Sequence, residues 1–391
     1  MYHTKLVVFF ILILNCLTNQ AQVTEIKLSP DNREMHRLFL SDLIQSIEYI
    51  PLETSDECLI GDINVFSSYI SDNYILVYSN RSFQLLLFDR KGKFIAQIGH
   101  RGESIGEYLE YSVATAFINE HNNQIVVHIR YPNRLNYYDL KGKFLRSEPV
   151  THDGIIFDLT DKHIYITHVN QEGEPPYIYE LMDRQFNILK QQVKSIPFKI
   201  KNKIGIQVFF PFARYLYDGH WHFRETTVND TLYHISDDFV FTPKYVINTG
   251  KYHASASKRA NVEGTPEAFF KLMHGCILAR YLFETEDYLS ICYMYDNRPH
   301  YCYYDKSRKK IFHIPSDNGI INDYDGGIDF WPQQQNNKFL YAFYEAHQFE
   351  ERSGPQLDPL KGGSIAIETY KNFLKKIDAD SNPVLIVATM K

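Results

Sequence analysis

Short apolar runs bounded by polar turns follow one another along most of the chain. YILVYS from Tyr74 leads to FQLLLFD, IVVHIR from Ile125 to LNYYD, and HIYITHV from His163 to PYIYELMD. HWHFRET from His220 leads to DTLYHISD, YLSICYMY from Tyr288 to HYCYYD, and a last pattern opens with KFLYAFYE from Lys338. Runs this short, rich in β-branched and aromatic residues and closed by Asn, Asp, Gly or Pro, predict strands. Two turns are near copies, FDRKGKF at Phe88–Phe94 and YDLKGKF at Tyr138–Phe144. In each, Asp89 or Asp139 can accept amide hydrogens at the turn start, and Gly92 or Gly142 can take a positive φ.

Strand-built repetition at a period of about 50 residues predicts a β-propeller. Five central units are visible, and two strands stand without local partners, IQSIEYIPLET at Ile44–Thr54 and PVLIVATMK at Pro383–Lys391. Pairing strands from both chain ends in one closing blade removes two exposed sheet edges. The expected fold is therefore all-β, a six-bladed β-propeller with terminal strands closing one blade and short helical insertions; seven blades is the nearest competing count. The insertions fall at about residues 253–280, with a helix opened by Thr265 and Pro266, and at about 348–380, with IETYKNFLKKID.

The chain has 391 residues, 15% of them aromatic, and a net charge of −6 with no basic block. That disfavours a nucleic-acid-binding surface. Lys5, the apolar stretch Leu6–Leu14 and small residues up to Ala21 predict a signal peptide over 1–21, followed by a single domain over 22–391. The stretch is too short to span a bilayer and no later run compares with it, so no transmembrane segment is expected after signal removal. Localisation in the periplasm or cell envelope follows. Cys16 stands where a lipoprotein would carry its anchor, but Asn15 before it is not small, so cleavage after Ala21 is favoured over a lipid anchor. Export permits disulfides. Cys292 and Cys302 flank a predicted hairpin symmetrically about Asn297, leaving a cross-strand bridge or two buried thiols as alternatives.

Four segments carry a family resemblance: IEYIPLET at Ile47–Thr54, GESIGEY at Gly102–Tyr108, DTLYHI at Asp230–Ile235 and NPVLIV at Asn382–Val387. In this order they resemble the six-bladed β-propeller proteins of Bacteroidetes, and the linker Ile98–Val127 is similar to that of NHL-like propellers. Ile105 departs from the pattern, standing where that family has Pro. The resemblance implies export and six blades; it implies no particular chemistry.

Candidate sites come from the residues themselves. The loop INDYDGGIDFWP, Ile321–Pro332, offers Asp323, Asp325, Asp329 and Trp331 to a ligand, with hard oxygens suited to Ca²⁺; a self-bonded turn is the local alternative. Glu107 and Tyr108 follow a Gly-rich turn at the ring's rim, and Arg214 and Arg224 are candidate channel residues. His220 and His222 alternate along one strand, placing both imidazoles on one face, where a third ligand from another blade could complete a metal site; they and, separately, Asp323 and Asp325 are the candidate metal ligands, for Ca or Zn. The favoured function is an exported binding module for a glycan, peptide or envelope protein, with no catalysis assigned. The alternative is a metal-dependent propeller lyase or hydrolase with its site in the central channel.

Overall fold

The computed structural model describes residues 23–391 except 32, 169–175, 200–213, 225–228, 261–266, 268–270, 272–273, 318 and 351–359. The expected signal peptide, Cys16, and the helix-opening Thr265 and Pro266 lie outside the described residues. Strand β1 (Thr24–Lys27) is followed by a helical turn α1 (Leu40–Leu43) that runs directly into β2 (Ile44–Pro51). The first four-stranded sheet holds β3 (Ile63–Ile70), β4 (Tyr74–Ser79), β5 (Leu85–Asp89) and β6 (Phe94–Gln97). A two-stranded ribbon, β7 (His100–Arg101) and β8 (Glu107–Tyr108), leads to the second sheet, β9 (Val113–Asn119), β10 (Gln124–Arg130), β11 (Asn133–Asp139) and β12 (Phe144–Pro149). The third holds β13 (Ile155–Leu159), β14 (His163–Thr167), β15 (Tyr177–Asp183) and β16 (Ile188–Val193).

Next come β17 (Arg214–Tyr217), β18 (His220–Arg224), β19 (Thr231–Ile235), β20 (Phe241–Asn248) and a short helix α2 (Ala256–Ala260). A fourth sheet is built from β21 (Leu278–Glu284), β22 (Tyr288–Tyr295), β23 (Arg298–Asp305) and β24 (Lys310–His313). The chain ends with β25 (Gln334–Asn336), β26 (Phe339–Tyr344), helices α3 (His347–Glu350) and α4 (Gly363–Leu374), and β27 (Val384–Met390).

The fold is all-β and propeller-like, but with four discrete four-stranded blades, not six. The remaining strands form one nine-stranded sheet in the order β1-β20-β19-β18-β17-β25-β26-β27-β2. Its two halves are joined at a single residue pair, Leu216 with Asn336 in parallel. Strands from the two ends of the chain do lie side by side: β27 runs antiparallel between β26 and β2, pairing Val387 with both Tyr341 and Glu48.

The repeated turns fold as their residues require. Asp89 accepts the amides of Lys91 and Lys93 at 2.8 and 2.9 Å, and Asp139 those of Lys141 and Lys143 at 2.9 and 3.0 Å. Gly92 and Gly142 take φ of +84° and +80°. Each also presses on a preceding strand, since a Cβ there would come within 2.1 Å of the Pro51 carbonyl oxygen or 2.2 Å of that of Gln97. The third sheet keeps the turn with different residues: Asp183 accepts the amides of Gln185 and Asn187, both at 2.9 Å, and Phe186 occupies the glycine position at φ 62°.

Side-chain bonds join successive units into a circuit, mostly through their first strands and in one case through Trp221 of β18. Ser67 Oγ donates to the Ala114 carbonyl (2.9 Å), Thr115 Oγ1 to that of Ile156 (2.7 Å), and Trp221 Nε1 to Asp158 (2.8 Å). Tyr215 donates to Glu284 (2.8 Å), Gln335 Nε2 to the Glu284 carbonyl (2.8 Å), and Gln334 Nε2 to the Val65 carbonyl (2.5 Å), which returns to β3. Apolar clusters fill the spaces between sheets, as where Leu76 and Leu87 of the first meet Ile125 and Val127 of the second. Burial of each such side chain contributes roughly 1.5–3 kcal/mol. Tyr370 and Phe373 of α4 pack with Phe349 of α3 against Tyr49 of β2, covering the outside of the nine-stranded sheet.

Candidate functional site

The strands linked in that circuit surround a common cavity. A space of about 190 Å³ is lined at once by Tyr69 of β3, Thr115 of β9, Asp158 of β13, Leu216 of β17, Tyr281 of β21 and Gln334 of β25, so it lies on the axis where these strands converge. Arg214 enters it from the start of β17, with its guanidinium 5.1 Å from the centre of the Phe157 ring and 5.9 Å from that of Trp221. Burial lowers its pKa to about 10, against the opposing pull of Tyr179 and Asp158, and it stays charged at neutral pH. Burial raises the pKa of Asp158, which Trp221 and the Leu159 amide offset by donating to its two oxygens.

The axis opens at both ends, and the two mouths differ in charge. At the N-terminal ends of the inner strands a cavity of about 850 Å³ carries Arg81, Arg130 and Arg214 against one carboxylate, Asp62. Its walls include Phe66, Tyr78, Tyr111, Tyr131 and Tyr281. The opposite mouth, about 750 Å³, is lined by Asp42, Asp72, Asp218, Glu286 and Asp287 against Lys338 and Lys391. The channel therefore runs from a basic, aromatic opening to an acidic one, a gradient that draws anions to the first and repels them from the second.

The residues singled out from sequence do not converge on one place. Asp323, Asp325, Asp329 and Trp331 share one loop, where their groups meet protein partners. Asp323 accepts from the Ser41 amide (2.9 Å) and hydroxyl (2.6 Å), and Asp325 from Tyr49 (3.1 Å), Asn322 (2.9 Å) and the Gly327 amide (2.8 Å). Asp329 accepts the Asn322 amide at 2.8 Å. Trp331 is buried between Phe283 and Tyr301, with ring centroids at 5.2 and 4.9 Å. Glu107 accepts the Ser104 amide at 2.9 Å, closing its own turn, and Tyr108 is buried, donating to the Ile98 carbonyl and accepting the Leu85 amide, both at 3.2 Å. Arg224 pairs with Asp230 at 2.9 Å. Arg214 alone of this set lines the channel.

His220 and His222 do share a face, both packing on His234 with ring centroids 4.8 and 5.2 Å away. His222 donates from Nδ1 to the His220 carbonyl (3.2 Å) and accepts Lys244 at Nε2 (3.1 Å), so both its nitrogens are engaged. Burial and the Lys244 charge lower its pKa to about 4. Among the described residues, no three His, Cys, Asp or Glu side chains are grouped to hold a metal ion. Beside this face lies the most heavily charged interior cluster that sequence reading missed. Buried Glu284 accepts Tyr215 and Lys244 at one oxygen (2.8 and 2.9 Å) and Tyr245 and Lys306 at the other (2.9 and 2.7 Å).

Sequence reading also missed Arg81, Tyr111 and Tyr131. Each stands alone in a turn, where an aromatic or arginine side chain carries no periodic signal. The clue was local: NRSF and LEYS place aromatic residues at turn positions that ordinarily take Gly or Asn.

Among the described residues, no helix is long and apolar enough to cross a membrane. No curated protein is significantly similar to the chain. Solved structures share its fold, two of them from Bacteroides species. One, a Bacteroides fragilis protein whose name marks it as a candidate for export, is 18% identical with a TM-score of 0.67, covering 94% of this chain and 100% of that one. The other, a member of the duf4221 family from Bacteroides vulgatus, is 11% identical with a TM-score of 0.50, covering 89% and 97%. The family described as Domain of unknown function (DUF4934) matches residues 23–389, and the chain belongs to that family.

Proposed function

We propose that this protein is an exported binding module that takes its ligand at the basic, aromatic mouth of the axial channel. The observation that carries this reading is the mouth itself, a concave space of about 850 Å³ with three arginines against one carboxylate. Pockets of this size suit ligands held by apolar walls and a few placed polar groups. Tyr111 and Tyr131 are 76% and 59% exposed there. Exposed aromatic faces beside guanidinium groups are the surface features that binding sites enrich.

Export is supported by the apolar N-terminal stretch. The family match starts at residue 23, just after the proposed cleavage at Ala21, in keeping with a signal peptide over 1–21 and one domain over 22–391.

The test uses the mouth tyrosines as reporters. Purified protein is treated with a tyrosine-nitrating reagent, with and without small-molecule and glycan fractions of a cell-envelope extract, and modified sites are located by mass spectrometry. Protection of Tyr111 and Tyr131 with unchanged labelling of the half-buried Tyr295, which lines none of these cavities, supports the reading. Equal labelling with every fraction overturns it.

A further inference from the structure

Two aromatic residues at the basic mouth hold backbone conformations that glycine would adopt at lower cost. Phe83 closes the hairpin between β4 and β5 at φ 55°, and Tyr111 sits in the turn before β9 at φ 57°. The hairpin loop is bracketed by the Ser79 amide on the Gln84 carbonyl (2.9 Å), and the second turn by the Ser112 amide on that of Leu109 (3.2 Å). Left-handed backbone is uncommon for any residue with a Cβ and an outlier for a bulky one. Such strain, about 1–3 kcal/mol per residue, persists where the surrounding structure imposes it, and it gathers at ligand sites.

The two strained residues are in contact. Their rings meet edge to face with centroids 4.6 Å apart, although Tyr111 remains 76% exposed. The contact holds the Tyr111 ring upright at the rim while leaving most of it to solvent. A buried core aromatic would compensate for backbone strain by burial; this one is left uncovered.

Arg81 lies in the same hairpin as Phe83 and lines the same cavity. It is exposed and makes no hydrogen bond or ion pair among the described residues. In the neighbouring turn, whose Arg130 amide donates to the Ser112 carbonyl at 2.8 Å, the Arg130 guanidinium lies 5.7 Å from the centre of the Tyr131 ring. The mouth thus presents phenolic faces and guanidinium groups to one space. That pairing suits a ligand with a ring to stack and an anionic group for a forked donor. The carboxylates at the far mouth oppose passage of such a ligand through the channel.

Resting on the reading of this mouth as a ligand site, we infer that the ligand is an acidic oligosaccharide. Its sugar ring stacks on Tyr111, which Phe83 holds in place, and its anionic group is taken by Arg81.

The proposal is tested by calorimetric titration with an oligogalacturonide, a chondroitin sulfate oligosaccharide, a neutral malto-oligosaccharide and an acidic peptide. The acidic sugars bind and the neutral sugar and the peptide do not; because chondroitin sulfate carries a uronate carboxylate as well as sulfate, any excess of its binding over that of the oligogalacturonide measures the sulfate's share. Tyr111→Gly and Phe83→Gly each weaken acidic-sugar binding about tenfold or more, while their thermal midpoints hold or rise, because glycine relieves the backbone. Tyr111→Phe retains binding, and Arg81→Gln weakens it and reduces its salt dependence. Equal binding of neutral and acidic sugars, binding of the peptide instead, or undiminished binding by Tyr111→Gly overturns the proposal. If an envelope fraction protects Tyr111 and Tyr131 from nitration but no acidic sugar binds, the ligand class is wrong and the site stands. If neither happens, both fall.

Discussion

The imidazole Nδ1 of His128 accepts the backbone amide of Ile156 at 3.3 Å, tying the second sheet to the third. Its Nε2 meets the Asn133 side-chain oxygen at 3.0 Å and must donate there. This bonding pattern belongs to the neutral ring, because a proton on Nδ1 would face the Ile156 N–H.

Stability is therefore expected to fall as pH drops below neutrality. Burial pushes His128, His222 and His313 each down to about 4, from about 6.5 in an unfolded chain. Above pH 6.5 these residues are neutral in both states. Below it the unfolded chain takes up protons that the folded one refuses, at a cost of about 1.4 kcal/mol per pH unit for each histidine until about pH 4. Urea midpoints measured between pH 7 and 4 should decline across that window, and His128→Gln should flatten the slope. A midpoint constant from pH 7 to 5 would count against this account.

Glu284 titrates in a lower range. Burial alone would raise its pKa, but the charges and hydrogen bonds of Lys306 and Lys244 outweigh that and hold it at about 2. Its contribution is present above the unfolded value of 4.5 and is lost as pH falls from there toward 2. Glu284→Gln leaves two ammonium groups around a neutral amide and should cost about 3–5 kcal/mol in denaturant unfolding at pH 7. A loss below about 1 kcal/mol would mean that the lysines escape to solvent and the pair behaves as an exposed one.

Gly92→Ala and Gly142→Ala should each destabilise by more than the roughly 1 kcal/mol of an ordinary left-handed position. The added methyl would strike a neighbouring carbonyl as well as strain φ. Gly219→Ala is the control, with φ +75° and open space around it. Comparable thermal midpoints for all three would remove the packing part of the argument.

Cys58, Cys276, Cys292 and Cys302 are buried thiols outside any disulfide. Thiol titration of the protein beginning after Ala21 should find all four unreactive in the native state and reactive once unfolded. A native protein that consumes reagent rapidly would contradict their burial.

The cysteine hairpin also shows where sequence reading stopped short. Symmetry about Asn297 suggested facing residues, but the turn has two residues, Asp296 and Asn297, so Tyr295 pairs with Arg298 and Cys302 falls opposite Ile291. A register displaced by one sends Cys292 and Cys302 to opposite faces of the sheet, into separate clusters. The strands and Asp-led turns were legible because their signals are local, and the turn survives at Asp183 even with Phe186 in place of glycine. The blade count was not legible, because it depends on an edge contact between Leu216 and Asn336, and β25 is a brief polar QQN with no apolar alternation. The channel mouth was hidden for a related reason: Arg81, Tyr111 and Tyr131 come together only when turns far apart in sequence converge.

The position of β27 bears on how this chain can be made. Its central residues, Val384–Ala388, are buried, and its backbone hydrogen-bonds to β26 on one side and to β2 on the other. β27 follows every other strand of the sheets in chain order, so until it emerges two neighbouring strands keep bare edges open to mispairing. A chain stopped before Val384 lacks this strand, so a stop codon there should yield an aggregating or rapidly degraded product, not a slightly shorter working protein.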